Sequence, residues 1–305
     1  MTIIAAVRKS IAGATSSPKL VFLLYFANLL FALPAAILFR SFTATAFGNS
    51  MAADGLLPGF DNNVVSDLLS NHTEVLGSIL RQVVPIAVLG IFLNIFLAGG
   101  TLDCFVHKRQ FSLEAFFGAC GRYFGRFLKA WLLMLVTGVI VVALLSIPFG
   151  LVVGALGDGG GNEQTVFIAT IVAIMVIYSP ILLLVIVADY ARVSIVVHDM
   201  RSTWKAVGRG YAFVFRNFAA AIGLYMLLFV LVLVASATYW ALEDMIGMSS
   251  VVTVTITFIV QQLFVVVRAW NRTSFFAGSA ALYEGRKPRP VIFYGWDDSP
   301  AIETA

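Results

Sequence analysis

Residues 107–161 read HKRQFSLEAFFGACGRYFGRFLKAWLLMLVTGVIVVALLSIPFGLVVGALGDGGG. Lys108, Arg109, Arg122, Arg126 and Lys129 crowd the first part. Ala130–Leu156 then carries no charge at all, and Asp158 with a glycine cluster closes the stretch. At about 1.5 Å rise per residue, so long an apolar helix crosses the roughly 30 Å hydrocarbon core of a bilayer with length to spare. A basic side, an apolar crossing and an acidic side follow one another in order.

The same alternation extends in both directions. Apolar runs lie at about residues 20–39, 83–102, 130–156, 166–188, 218–242 and 246–267. Of the 20 Lys and Arg residues, 18 lie before the first run, after the second or fourth, or beyond the sixth; only Arg40 and Arg81 lie elsewhere. Anionic inner-leaflet lipids and the membrane potential hold Lys and Arg on the cytoplasmic face. The pattern predicts an all-α, polytopic bundle of six transmembrane helices arranged as three hairpins, with both termini cytoplasmic. One domain would cover residues 1–290, leaving 291–305 as a short tail.

Composition agrees. The chain has 305 residues, 60% of them hydrophobic and 12% charged, with a mean hydropathy of +0.94. Soluble domains carry about 25% charged residues, so the bilayer must act as part of the solvent. The net charge of +4 comes from residues beside the spans and reads as topogenic, not as a nucleic-acid footprint. Cys104 and Cys120 both fall on the cytoplasmic side, without the cysteine and histidine neighbours of a metal site, and read as inert packing residues. The first run exceeds the ~7–15 residue core of a signal peptide, and Arg40 interrupts the small-residue site after it, so an uncleaved helix is expected.

Loop 41–81 is the long outer connection and holds Asp54, Asp61, Asp67 and Glu74. Helical apolar spacing over 64–79 predicts a short surface helix there. A protein partner would use this loop or the C-terminal tail. On the other side, residues 111–129 and 202–217 interleave aromatic and basic side chains at helical spacing, and Ile3, Ile4, Val7 and Ile11 surround Arg8 and Lys9 in the same way. These segments are expected to be amphipathic helices lying in the headgroup region, rings in the acyl boundary; the alternative makes the inner two the first turns of the following spans. Arg122, Arg126, Lys129, Arg209 and Arg216 are the expected contacts to anionic lipid headgroups.

The two segments are related. At an offset of 90, Val106, Ser112, Gly118, Arg126 and Ala130 match Val196, Ser202, Gly208, Arg216 and Ala220. The chain then divides into three parallel units, each an amphipathic segment followed by a pair of spans. Together with this plan, the stretch GGTLDCFVHKRQFSLEAFFGACGRYFGRFLKAWLL at 99–133 and its echo DYARVSIVVHDMRSTWKAVGRGYAFVFRNF at 189–218 resemble the six-helix bacterial membrane domain found alongside some glycerophosphodiester phosphodiesterases. The resemblance implies a bacterial inner-membrane protein. It brings no catalytic residue, because hydrolysis in that family belongs to a separate soluble barrel with no counterpart here.

No zinc-protease, nucleophile-elbow or phosphate-loop motif occurs. Asp189-Tyr190-Ala191-Arg192 lacks the companions of a lipid-headgroup transferase motif, and His72, His107 and His198 are dispersed. No catalytic, metal or cofactor residue is expected. The polar residues in or beside the spans are Asn28, Asn94, Gln261 and Gln262, with Asp103, Asp189, Arg268 and Arg272 near the inner interface. An amide in hydrocarbon seeks an interhelical partner, and a carboxylate is expected to pair with an Arg of the last span. The favoured role is a non-enzymatic scaffold or envelope component touching anionic lipid. The alternative is a permease for a lipid or other amphiphile, which requires a polar cavity reaching one face.

Overall fold

The computed structural model describes residues 1–48, 73–109, 111–159, 162–246 and 250–286. Among them are eight helices and no strand: α1 (Ile3–Thr15), α2 (Pro18–Phe47), α3 (Thr73–His107), α4 (Leu113–Asp158), α5 (Glu163–His198), α6 (Thr203–Arg216), α7 (Phe218–Ile246) and α8 (Val251–Arg286). All but α1 and α6 are long and apolar enough to cross a membrane, which makes six candidate spans. In hydrocarbon every backbone N–H and C=O needs an internal partner, and long uninterrupted helices supply one.

Local chemistry decides where helices stop. Pro18 opens α2 as its first residue and, having no N–H, separates α2 from α1 at Ser16-Ser17. Asn217 closes α6, its Nδ2 donating to Phe213 O at 3.0 Å. Ser112 caps α4, accepting from Ala115 N at 3.3 Å. Ser202 stands at the N-cap position of α6, matching Ser112 in the proposed repeat, but its side chain makes no capping hydrogen bond.

Residues 113–129 differ from expectation. They form no separate in-plane helix but the first turns of α4, which runs unbroken for 46 residues. Phe127 stands where the repeat would place Asn217, and it is fully buried in the helix instead of ending it. Phe116, Cys120 and Tyr123 likewise face the protein interior, not the acyl boundary. Residues 73–79 belong to α3, so the expected outer helix over 64–79 is absent from its second half; 49–72 and the tail from 287 lie outside the described residues. The last span, expected to end at Val267, continues as α8 to Arg286.

Burial is concentrated at the basic end. Leu20 and Leu24 of α2, Leu97–Asp103 of α3, Phe116–Met134 of α4, Leu184–Val196 of α5, Ala220–Leu228 of α7 and Asn271–Tyr283 of α8 carry most of the buried positions. Leu33, Ile147, Leu151, Phe167, Val234 and Phe258, toward the other end, are exposed, as lipid-facing side chains must be. α1 lies along α8 and buries Ala6, Ser10 and Ala14 there. Arg286 ties the two together, donating to Met1 O at 2.9 Å.

Small residues make the tight crossings, the usual solution where hydrophobicity gives helices no reason to associate. A Cβ at Gly100 of α3 would lie 2.7 Å from Cys120 Sγ of α4, and one at Gly210 of α6 would lie 2.8 Å from Val187 O of α5. A Cβ at Gly118 would meet nothing within 4 Å. Ala favours helix over Gly by about 1 kcal/mol, so Gly118→Ala should hold or raise the melting temperature in detergent. Gly210→Ala should lower it, overpacking costing about 1–3 kcal/mol.

Candidate anion-binding crevice

Three cavities lie next to one another above the packed core. One of about 460 Å³ is lined by Gly90 and Asn94 of α3, Trp131 of α4, Arg192 of α5 and Arg272 of α8. It shares Asn94 and Arg272 with a cavity of about 520 Å³ that reaches Tyr25 and Asn28 of α2 and Arg268 of α8. It shares Trp131 and Arg192 with an apolar groove of about 590 Å³ between α4 and α5, bounded by Gly138, Val139, Ile181 and Leu184.

Among the described residues three guanidinium groups line this crevice, and Asp189 is the single carboxylate lining it. Asp189 accepts from Arg192 Nη1 at 2.7 Å and from Tyr225 OH at 2.8 Å. Arg192 Nε is buried with no hydrogen-bond partner among the described residues, and Asn271 Oδ1 is in the same condition. Arg268 and Arg272 are exposed to the cavity and form no hydrogen bond or ion pair among the described residues. Arg272 lies 5.6 Å from the Phe276 ring centroid. An ionisable side chain in a membrane bundle without a partner is costly, which makes these residues a candidate functional position.

Amides complete the lining. Asn94 Nδ2 donates to Asn28 Oδ1 at 3.2 Å and to Gly90 O at 2.8 Å, bridging α3 to α2. Tyr25 OH donates to Gln262 Oε1 at 2.9 Å, bridging α2 to α8. Gln261 is exposed and makes no such bond among the described residues. The expected lock between a carboxylate and Arg268 or Arg272 does not form. Asp103 is buried and pairs with His107 at 3.0 Å, one turn along its own helix. Asp189 pairs three residues along, because that spacing puts both side chains on one helix face.

The basic collar also divides. Arg122, Lys129, Arg209 and Arg216 are exposed, but Arg126 is engaged with Asp199 in the turn after α5. That bond and the charge of Arg126 hold the Asp199 carboxyl below the usual carboxylate range. Among the described residues no group of three or more His, Cys, Asp or Glu side chains is placed to hold a metal ion. Sequence reasoning passed over Arg192, visible only inside a discarded tetrapeptide. Its signal was an acid–base pair at helical spacing at the end of an apolar run.

Removing the Asp189 charge strands Arg192 at a site where the two side chains are only 17% and 13% exposed. Asp189→Asn should cost about 3 kcal/mol of stability in detergent. Asp189→Asn with Arg192→Gln should cost clearly less than the two single changes added together, measured as a thermal double-mutant cycle. No family model, curated protein or solved structure matches the chain.

Proposed function

We propose that this chain is a non-enzymatic bacterial inner-membrane protein that binds an anionic amphiphile and serves as a permease or carrier for it. One observation carries the reading: a crevice lined by Arg192, Arg268 and Arg272 with one carboxylate, continuous with an apolar groove between α4 and α5. The headgroup would sit on the guanidinium forks and an acyl chain in the groove. A scaffold needs no such cavity, which is why the permease reading is preferred here.

The proposed orientation places the basic end, with α1 and α6, in the cytoplasm. Depth supports it. From Val251 to Arg272 along α8 is about 32 Å at 1.5 Å per residue, close to the roughly 30 Å hydrocarbon thickness. Arg268 and Arg272 then lie at the inner boundary, at the level of anionic headgroups. Trp204 and Phe215 are exposed on α6 beside Lys205 and Arg209, and Tyr211 stacks on Phe215 with ring centroids 6.3 Å apart. That stripe suits contact with the membrane surface, while the opposite face of α6 packs Ala206, Gly210 and Val214 into the core.

Native mass spectrometry of the protein in mixed phosphatidylglycerol and phosphatidylcholine should show retained phosphatidylglycerol. Arg272→Gln should weaken that preference about tenfold, one charge-assisted contact; equal retention of both lipids by the wild type would sink the proposal. Transfer of a fluorescent anionic lipid between leaflets of vesicles separates a permease from a static binder. A cysteine replacing Gly160 should react with an impermeant thiol reagent from the periplasmic side.

A further inference from the structure

We propose that a fourth cavity, at the far basic end where α5, α6 and α8 meet, binds a phosphate group. It measures about 480 Å³ and is lined by Arg209 and Arg216 of α6, Arg286 and Tyr283 of α8, and His198 of α5. The crevice proposal plays no part in this inference. Along α8, Arg286 lies fourteen residues beyond Arg272, about 21 Å.

Helix geometry gathers the charges. Arg209 and Arg216 stand seven residues apart, about two turns and 10.5 Å along one face of α6. Arg286 is held in place by Met1 O at 2.9 and 3.2 Å and by Asn217 Oδ1 at 3.0 Å. Those three bonds leave two of its five N–H donors unused. Among the described residues the one hydrogen bond of Arg209 is to Met200 Sδ, at 3.1 Å, and a thioether is a weak acceptor. Arg216 makes no hydrogen bond or ion pair among the described residues.

Among the described residues no carboxylate lines the cavity. Asp199 is taken by Arg126, and Glu284 lines a separate cavity with Lys9 and Lys108. Tyr283 OH lies 3.3 Å from His198 Nε2, adding polar groups to the rim. Phe213 is buried beneath, against Tyr283 with centroids 4.8 Å apart, which makes an apolar wall for an organic body. Topogenic charge or the dipole at the end of α6 would account for a cation here. Neither accounts for three guanidinium groups converging on one space with donors to spare. Planar forks of this kind match the oxygens of a phosphate.

The phosphate belongs to a water-soluble molecule or to a lipid headgroup, and the test has an arm for each. The full chain is placed in phosphatidylcholine nanodiscs, and pyrophosphate is titrated at constant ionic strength by calorimetry. Saturable binding is expected, weakened at least about tenfold in both Arg209→Gln and Arg216→Gln and unchanged in Arg272→Gln. Both altered residues are exposed, and melting temperatures near the wild-type value verify folding. The titration is repeated with phosphatidic acid in the discs. Unchanged pyrophosphate affinity assigns the site to a soluble ligand. Weakened pyrophosphate affinity, by competition from phosphatidic acid, assigns it to the lipid. Wild-type affinity in either collar variant overturns the proposal. So does absence of saturable pyrophosphate binding by the wild type.

Discussion

Among the described residues, helices in this bundle approach one another closely where a side chain has been left out. Gly100 lets α3 lie against Cys120 and Phe116 of α4, Gly210 seats α6 on the backbone of α5, and Gly13 and Gly278 bring α1 against α8. Water gives such apolar helices no incentive to associate once they are in lipid, so dispersion across tight contacts must do it. All these crossings lie at the basic end, among the most buried residues of the molecule. The opposite halves of the spans make few comparable contacts and present Leu, Ile, Val and Phe outward. A structure clamped at one end and lipid-facing at the other leaves space between its helices just above the clamp, and that is where the crevice lies.

Electrostatics then decides what that space can hold. Asp189 satisfies Arg192 in part and is itself satisfied by Tyr225. Arg268 and Arg272 are left over. Two cations of a membrane bundle unpaired among the described residues contribute nothing evident to its stability, and ionisable residues there are functional-site candidates. Their presence beside an apolar groove points to a ligand with a negative head and a greasy body. Two of the four buried side-chain polar atoms without partners among the described residues, Arg192 Nε and Asn271 Oδ1, belong to residues lining this crevice.

The spans were legible because hydrophobic run length and bilayer thickness are matched quantities, and no tertiary detail intervenes between them. The helix start at Ser112 was readable too, as local capping chemistry. The destination of the aromatic stripes was not. Phe116, Tyr123 and Phe127 at helical spacing suit an acyl boundary as well as a protein core, and only neighbouring helices distinguish the two. Trp204 and Phe215 stayed exposed on α6, whereas the equivalent segment of α4 was covered by α3 and α5. The amides behaved likewise: Asn94 and Gln262 found interhelical partners and Gln261, adjacent in sequence, did not.

By itself, then, the sequence determined the number of the apolar helices and gathered most cationic residues at one end, because transfer from water to hydrocarbon is a property of each residue in turn. Tertiary structure decided which charges meet between segments, as when Arg126 of α4 engages Asp199 in the turn after α5. Asp189 and Arg192, by contrast, meet because three residues of helix put both on one face. Partnership between helices depends on distances of a few ångströms, which spacing along the chain does not set.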